Sequence, residues 1–147
     1  ETIYNLRLIH YPKQETVAPI AGQMGCGAHT DYGTLTLLAD DGNGGLQVRQ
    51  RSGEWVDVSV PAGHLVVNLG DLMAIWTNDR WVSTPHRVAN PPTGWGERRL
   101  SVPFFFQANY DTVVECLPSC AVVGQAPKYQ PISVGAYRAE RFARTAT

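Results

Sequence analysis

The sequence predicts an all-β core, a sandwich or jelly roll, followed by a short C-terminal helix. Short runs rich in β-branched and aliphatic residues recur along most of the chain, and Gly-, Pro-, Asn- and Asp-rich turns separate them. Many short strands so spaced are the pattern of a two-sheet β-fold. The helical signal comes at the end, where Ser133 is placed to cap a helix running to Arg144.

Taken in order, the strand-like runs are 3–11, 28–38, 45–49, 55–58, 65–69, 82–88, 99–107 and 113–117. Asp40-Asp-Gly-Asn-Gly-Gly45 is a tight loop, Arg51-Ser-Gly-Glu54 a hairpin tip, and Val60-Pro-Ala-Gly63 a further turn. Asp71 to Trp76 fits a strand or a short helical turn, and periodicity does not decide between them. Asp71 itself, closing Asn-Leu-Gly-Asp, reads as a turn-former. Asn90 to Gly96 is a loop. Residues 1–120 are expected to form the core, and 121–147 a C-terminal loop and helix.

The chain has 147 residues, enough for one domain with a real core. Charged residues make up only 17%, below the roughly 25% of ordinary globular proteins. A partner segment covering part of the surface would explain the shortfall. So would a Gly- and Pro-rich β-fold, with 14 Gly and 10 Pro. The chain opens at Glu1 in what already reads as a strand, so a fragment or processed product is expected. Net charge is −1 with no basic run, which argues against nucleic acid as a partner. No apolar run approaches the length of a membrane span. No signal peptide is visible, although a truncated N-terminus would hide one. Three cysteines, without zinc-ribbon spacing, suggest a reduced, cytoplasmic setting.

The chemistry concentrates in three places. The first is His29-Thr30-Asp31, the second His86 and the third Arg99-Leu100-Ser101. Two imidazoles and one carboxylate suit iron(II), manganese or zinc, and three protein ligands leave positions open for chemistry. His-x-Asp alone is a common surface pair. The added His86 and Arg-x-Ser turn the reading toward a metal that activates oxygen beside a bound organic acid. Residues 34–38 read as a strand, and an extended backbone through His29 would put His29 and Asp31 on one face. His86 must then arrive from another strand. Alternation along 99–107 places Arg99, Ser101, Pro103 and Phe105 on one face, and Arg98, Leu100, Val102 and Phe104 on the other. A guanidinium fork fits a carboxylate bidentately, and a serine hydroxyl adds a donor. Arg98 reads as a solvated strand charge. Cys26 is a weaker candidate for a fourth ligand, because thiolate would favour zinc. His10 and His64 read as solvent-facing or satisfied. Trp55, Trp76, Trp81 and Trp95 are expected in structural roles.

At these residues the chain resembles the isopenicillin N synthase-like family of iron(II)- and 2-oxoglutarate-dependent oxygenases. The matching stretches are His29-Thr-Asp-Tyr-Gly-Thr-Leu-Thr-Leu-Leu38, Gly45-Leu-Gln-Val48, Val66-Val-Asn-Leu-Gly-Asp71, Ser83-Thr-Pro-His-Arg-Val88 and Arg99-Leu-Ser-Val-Pro-Phe-Phe105. They fall in family order and cover residues 3–120. The resemblance implies a double-stranded β-helix (jelly-roll) core. It implies iron(II) held by His29, Asp31 and His86, with 2-oxoglutarate and O2 as cosubstrates. Arg99 and Ser101 would grip the distal carboxylate of 2-oxoglutarate, and Tyr11 matches a tyrosine that hydrogen-bonds it. Phe105 matches a residue lining the substrate pocket. Two departures stand out. Ile9 occupies a position where many plant members carry asparagine. Family chains are also much longer, and this one resembles only their C-terminal catalytic portion.

The implied activity is that of a dioxygenase. It would oxidise a small organic molecule, with hydroxylation the expected outcome, and release succinate and CO2. Desaturation or ring closure would use the same site. A rival is an oxidase of the same family that dispenses with 2-oxoglutarate but also carries Arg-x-Ser. A second rival is a non-catalytic ligand-binding module on the same fold. A missing N-terminal segment, or a second chain, is expected to cover one face.

Overall fold

A computed structural model describes residues 3–13, 22–90 and 98–145. The strands are β1 (Ile3–Leu6), β2 (Ile9–Tyr11), β3 (Cys26–His29), β4 (Leu35–Asp40), β5 (Leu46–Arg49), β6 (Trp55–Asp57), β7 (Val66–Leu69), β8 (His86–Val88), β9 (Arg99–Gln107), β10 (Val113–Val114) and β11 (Ile132–Ser133). Two α-helices accompany them, α1 (Asp71–Thr77) and α2 (Val134–Thr145). The major sheet runs β1-β9-β4-β7, with β2 also on β9, and the second sheet runs β3-β8-β5-β6. Every pairing is antiparallel. The chain crosses repeatedly between the two sheets, which is the double-stranded β-helix.

Several expected runs divide. Run 3–11 becomes β1 and β2, which share one register on β9: Leu6 faces Phe104, and Ile9 faces Ser101. The break falls opposite Pro103. Its carbonyl accepts the Arg7 N–H at 3.0 Å, but proline has no N–H for the reciprocal bond. Run 28–38 becomes β3 and β4, in different sheets. His29 therefore ends a strand while Asp31 lies in the turn beyond it. Run 82–88 keeps only its last three residues as strand, after Pro85. Run 113–117 shortens to β10.

Residues 71–77 are helical. The first N–H groups of a helix have no partner within it, and here the preceding turn supplies them. Gly70, Asp71 and Leu72 donate to the carbonyls of Thr34 (2.8 Å), Asp31 (2.8 Å) and Gly33 (3.2 Å). That approach requires glycine at position 70, where a Cβ would lie 2.1 Å from the Gly33 oxygen. Leu72 and Ile75 of α1 pack with Val114 and Val134, and Trp76, Ile132 and Tyr137 close around them. This cluster fastens α2 to α1 and to the β10–β11 pair. Ser133 caps α2 as expected, its Oγ accepting the Ala136 N–H at 3.2 Å.

Candidate active site

The cavity between the sheets is lined by His29, Asp31, His86, Arg99, Ser101, Tyr11 and Phe105, with Ile9, Thr36 and Asn68 among its other walls. His29 reaches it from the end of β3 and His86 from the start of β8, where the two residues are register partners. Their rings lie 4.3 Å apart. Asp31 enters from the turn. Its Oδ1 is 3.9 Å from His29 Nε2 and 3.7 Å from His86 Nε2. These separations are too long for hydrogen bonds, and they leave a gap among three donor atoms that all lie within 4.8 Å of one another.

The surroundings prepare each donor. His29 Nδ1 faces the Gly27 carbonyl at 2.8 Å, and His86 Nδ1 faces the Thr84 carbonyl at 3.0 Å. A carbonyl can only accept, so each Nδ1 carries a hydrogen, and in the neutral ring each Nε2 turns its lone pair into the gap. Asp31 Oδ2 accepts hydrogen bonds from Thr36 Oγ1 and, at 2.6 Å, from Asn68 Nδ2. That oxygen is occupied, so Oδ1 is the one available to a metal. Asp31 is 7% exposed, and burying a carboxylate is costly without such partners.

His29 is pushed up to about 9, foremost by its contact with the Cys26 sulfur, with burial opposing and the Gly27 carbonyl and Asp31 adding. A proton held on His29 must leave before Nε2 can serve a cation, so metal binding there would displace a proton. Cys26 is not among the clustered donors. Its sulfur lies 3.7 Å from His29 Nδ1, the nitrogen opposite the gap.

Arg99 crosses the same cavity and is 7% exposed. Its Nε donates to the Gly44 carbonyl at 2.6 Å, and Nη2 lies 3.6 Å from Asp40 Oδ2. Nη1 and Nη2 are buried without a hydrogen-bond partner. Unsatisfied buried donors are costly, and a carboxylate placed between them would relieve that cost bidentately. The Tyr11 ring lies 5.2 Å from the guanidinium carbon, and burial raises the Tyr11 hydroxyl above its ordinary value. Ser101 is buried on the same face. Arg98 is exposed, as alternation requires.

The remaining sequence candidates among the described residues stay outside the cavity. His10 and His64 are exposed, and His64 bonds the Ala62 carbonyl. Trp55 stacks under Arg87, and Trp76 joins the helical cluster. Trp81 is 57% exposed, and Trp95 lies outside the described residues. Sequence reasoning missed Thr36, Asn68 and Asp40 as partners of the site. Strand parity held a signal for the first two: Thr36 alternates with Leu38, and Asn68 with Val66, on cavity-facing positions. It also took Asp71 for a turn-former, whereas Asp71 opens α1 and its N–H binds the Asp31 carbonyl of the turn after β3.

The 2OG-Fe(II) oxygenase superfamily model matches residues 3–108. The 2-oxoglutarate-Fe(II) type oxidoreductase hxnY of Emericella nidulans is 46% identical over 142 residues, covering 92% of this chain and 40% of that one. A homoarginine-6-hydroxylase of Glycine max is 45% identical over 116 residues, covering 76% of this chain and 34% of that one. A full-length Neurospora crassa protein, crystallised in complex with alpha-KG and thymine, superposes with a TM-score of 0.88 at 38% identity. It is covered over 45% of its length, against 98% of this chain. The chain thus spans less than half the length of these relatives. Sequence, topology and the composition of the cavity agree: this chain belongs to the 2OG-Fe(II) oxygenase superfamily.

Proposed function

We propose that this chain is the catalytic portion of an iron(II)- and 2-oxoglutarate-dependent dioxygenase that oxidises a small organic molecule. One observation carries the reading. A carboxylate oxygen and two imidazole Nε2 atoms face a common gap, and an unsatisfied buried guanidinium lies in the same cavity. The donor set is that of a non-haem iron(II) facial triad with open positions. His29, Asp31 and His86 would hold the metal, with Asp31 binding through Oδ1 alone. When bound, iron(II) supplies oxygen activation coupled to conversion of 2-oxoglutarate to succinate and CO2.

The chain's own residues position and exclude. Arg99 anchors the distal carboxylate of 2-oxoglutarate, itself held in place by the Gly44 carbonyl and Asp40. Ser101 adds a hydroxyl on the same strand face, and Tyr11 closes over the guanidinium. Phe105, with Ile9 and Leu38, keeps this part of the cavity apolar, which strengthens the charge contacts inside it. The relatives support a small substrate, since their names cite homoarginine and thymine. Three free cysteines suit a reducing compartment, and the cytoplasm is part of this proposal.

The outer face of the major sheet supports a further covering segment. Leu6, Phe104, Leu37 and Val67 form one cross-strand row, and Tyr4, Phe106, Leu35 and Leu69 another. Tyr4, Leu6, Phe106 and Val67 are exposed at 41–66%. Contiguous apolar surface of this kind marks a contact face.

The test is anaerobic loading with iron(II), followed by oxygen and 2-oxoglutarate with a panel of small amino-acid and nucleobase substrates. Succinate formed in step with substrate oxidation is expected. Substrate oxidation without succinate would overturn the 2-oxoglutarate reading in favour of an oxidase. Absence of both, in a protein that binds iron, would leave the binding-module reading standing.

A further inference from the structure

We infer that Arg141, on the C-terminal helix, is a positioning residue for the metal site, acting through Thr30 and Asp71. The inference rests on the proposal that His29, Asp31 and His86 bind iron(II). Its basis lies outside the cavity. The turn carrying Asp31 is gripped at three consecutive residues. Arg141 Nη2 donates to Thr30 Oγ1 at 3.1 Å. The Asp31 carbonyl accepts the Asp71 N–H at 2.8 Å. The Arg141 guanidinium sits 4.6 Å over the Tyr32 ring, against which Phe142 packs edge-on at 5.8 Å.

Asp71 is the hub. Its backbone N–H holds the Asp31 carbonyl. Its carboxylate oxygen Oδ2 accepts the Tyr137 hydroxyl at 2.9 Å and lies 3.3 Å from Arg141 Nη2. Tyr137 and Arg141 are one turn apart on α2, so they share a face. Burial and the Asp71 charge raise the Tyr137 hydroxyl well above its ordinary value, which keeps it a donor. Val134 and Tyr137 meanwhile pack α2 into the apolar cluster with α1. The helix is therefore fixed by its core contacts and transmits that position to the metal-site turn through Arg141.

The turn needs such support. His29 ends β3, and β4 begins only at Leu35, so residues 30–34 lie outside any strand ladder. The side-chain donors to Asp31 fix only its carboxylate. Groups that orient a ligand from behind commonly govern metal retention as strongly as the ligands' own surroundings.

The test follows release of iron(II) from the anaerobic holoenzyme into excess chelator by absorbance, with far-UV circular dichroism as the fold check. Arg141→Met should release iron about 10-fold faster than wild type, and Arg141→Lys should recover part of the loss. Thr30→Val should speed release less. Added to Arg141→Met it should do nothing more, because its contact already runs through Arg141. Lys128→Met, which removes an ion pair elsewhere on the C-terminal segment, should leave the rate unchanged. Equal rates in wild type, Arg141→Met and Thr30→Val would overturn the inference. So would a rate in Lys128→Met as fast as in Arg141→Met, since general loosening would then explain both. If Arg141→Met fails to fold, Thr30→Val decides: faster release supports the brace and an unchanged rate overturns it. A wild-type protein that binds no iron would overturn the metal reading and the brace together.

Discussion

Asp31 and Arg99 are two buried charges whose neighbours satisfy them unequally. Asp31 has one oxygen with two donors and one oxygen facing two imidazoles. Arg99 has its Nε bonded and its fork without a hydrogen bond, Nη2 lying 3.6 Å from the Asp40 carboxylate. Each mismatch points to what should be added, a cation for the first and a carboxylate for the second. Asp31→Ala is expected to keep the fold and lose iron(II) binding, read by metal content beside circular dichroism. Asn68→Leu removes the 2.6 Å donor to Asp31 Oδ2 at similar volume. Iron(II) affinity should fall about 10-fold, and an unchanged titration would mean Thr36 alone orients the carboxylate. Arg99→Lys keeps the charge and loses the fork. Losing a charge-assisted bond costs about 1.5–3 kcal/mol, so 2-oxoglutarate affinity should drop roughly 10- to 150-fold while iron affinity holds. Unaltered 2-oxoglutarate binding would displace Arg99 as the anchor. At this scale the sequence was most readable where chemistry resides in residue type. Imidazole, carboxylate and guanidinium announce themselves. Thr36 and Asn68 are ordinary polar residues until a cavity is known to lie beside them.

Between residues and molecule, the elements show which local signals decide structure. Strand cores were legible from β-branched runs, but strand ends were not. The 3–11 run breaks because a proline on the neighbouring strand lacks an N–H, which only the register of Arg7 on Pro103 shows. The 71–77 helix is too short for periodicity. Tertiary bonds decide it, since carbonyls of the turn carrying Asp31 satisfy its first amides. The exit from α1 is equally specific. Asn78 and Asp79 adopt left-handed φ of 51° and 67°, and both reach residues 128–129. Asn78 Oδ1 accepts the Lys128 N–H at 3.0 Å. Asp79 takes Lys128 Nζ at 2.8 Å and the Tyr129 hydroxyl at 2.6 Å. Those two side chains, Lys128 first, hold the Asp79 carboxyl below its ordinary value of 3.8. A lowered folded-state pKa means that this stabilisation is present above 3.8 and fades as pH falls through the folded value. Asp79→Ala should cost about 1–2 kcal/mol at neutral pH, from two lost hydrogen bonds. Its stability should then fall less steeply than wild type on acidification, as thermal melts between roughly pH 2 and 6 would show. Parallel curves would exclude Asp79 as the titrating contact.

Across the whole molecule, the sheet pairing explains why a motif scattered over residues 29–101 converges. β3 and β8 are neighbours in one sheet, so His29 and His86 meet as register partners. β9 faces them from the other sheet and brings Arg99 and Ser101. None of this pairing is written in strand propensity; the recurring motif order carried it, by resemblance. Among the described residues, the same pairing leaves Tyr4, Leu6, Val67 and Phe106 of the outer rows exposed. The residues of these rows alternate with the cavity-facing set, so the sheet carries apolar side chains on its outer face as well as a buried inner face of mixed character. Such a sheet belongs between two layers, and here only the inner layer is present among the described residues. We therefore expect residues 1–147, expressed alone, to bind an apolar dye and to self-associate, with turnover below that of a longer chain carrying the covering segment. Replacing Leu6, Val67 and Phe106 by threonine keeps β propensity while lowering apolar exposure. It should reduce dye binding and shift the sedimentation profile toward monomer. In any longer chain whose added segment covered this face, the same replacements should destabilise the protein, because the rows would then be buried. A monodisperse, fully active 147-residue protein, indifferent to these substitutions, would show that the face needs no cover.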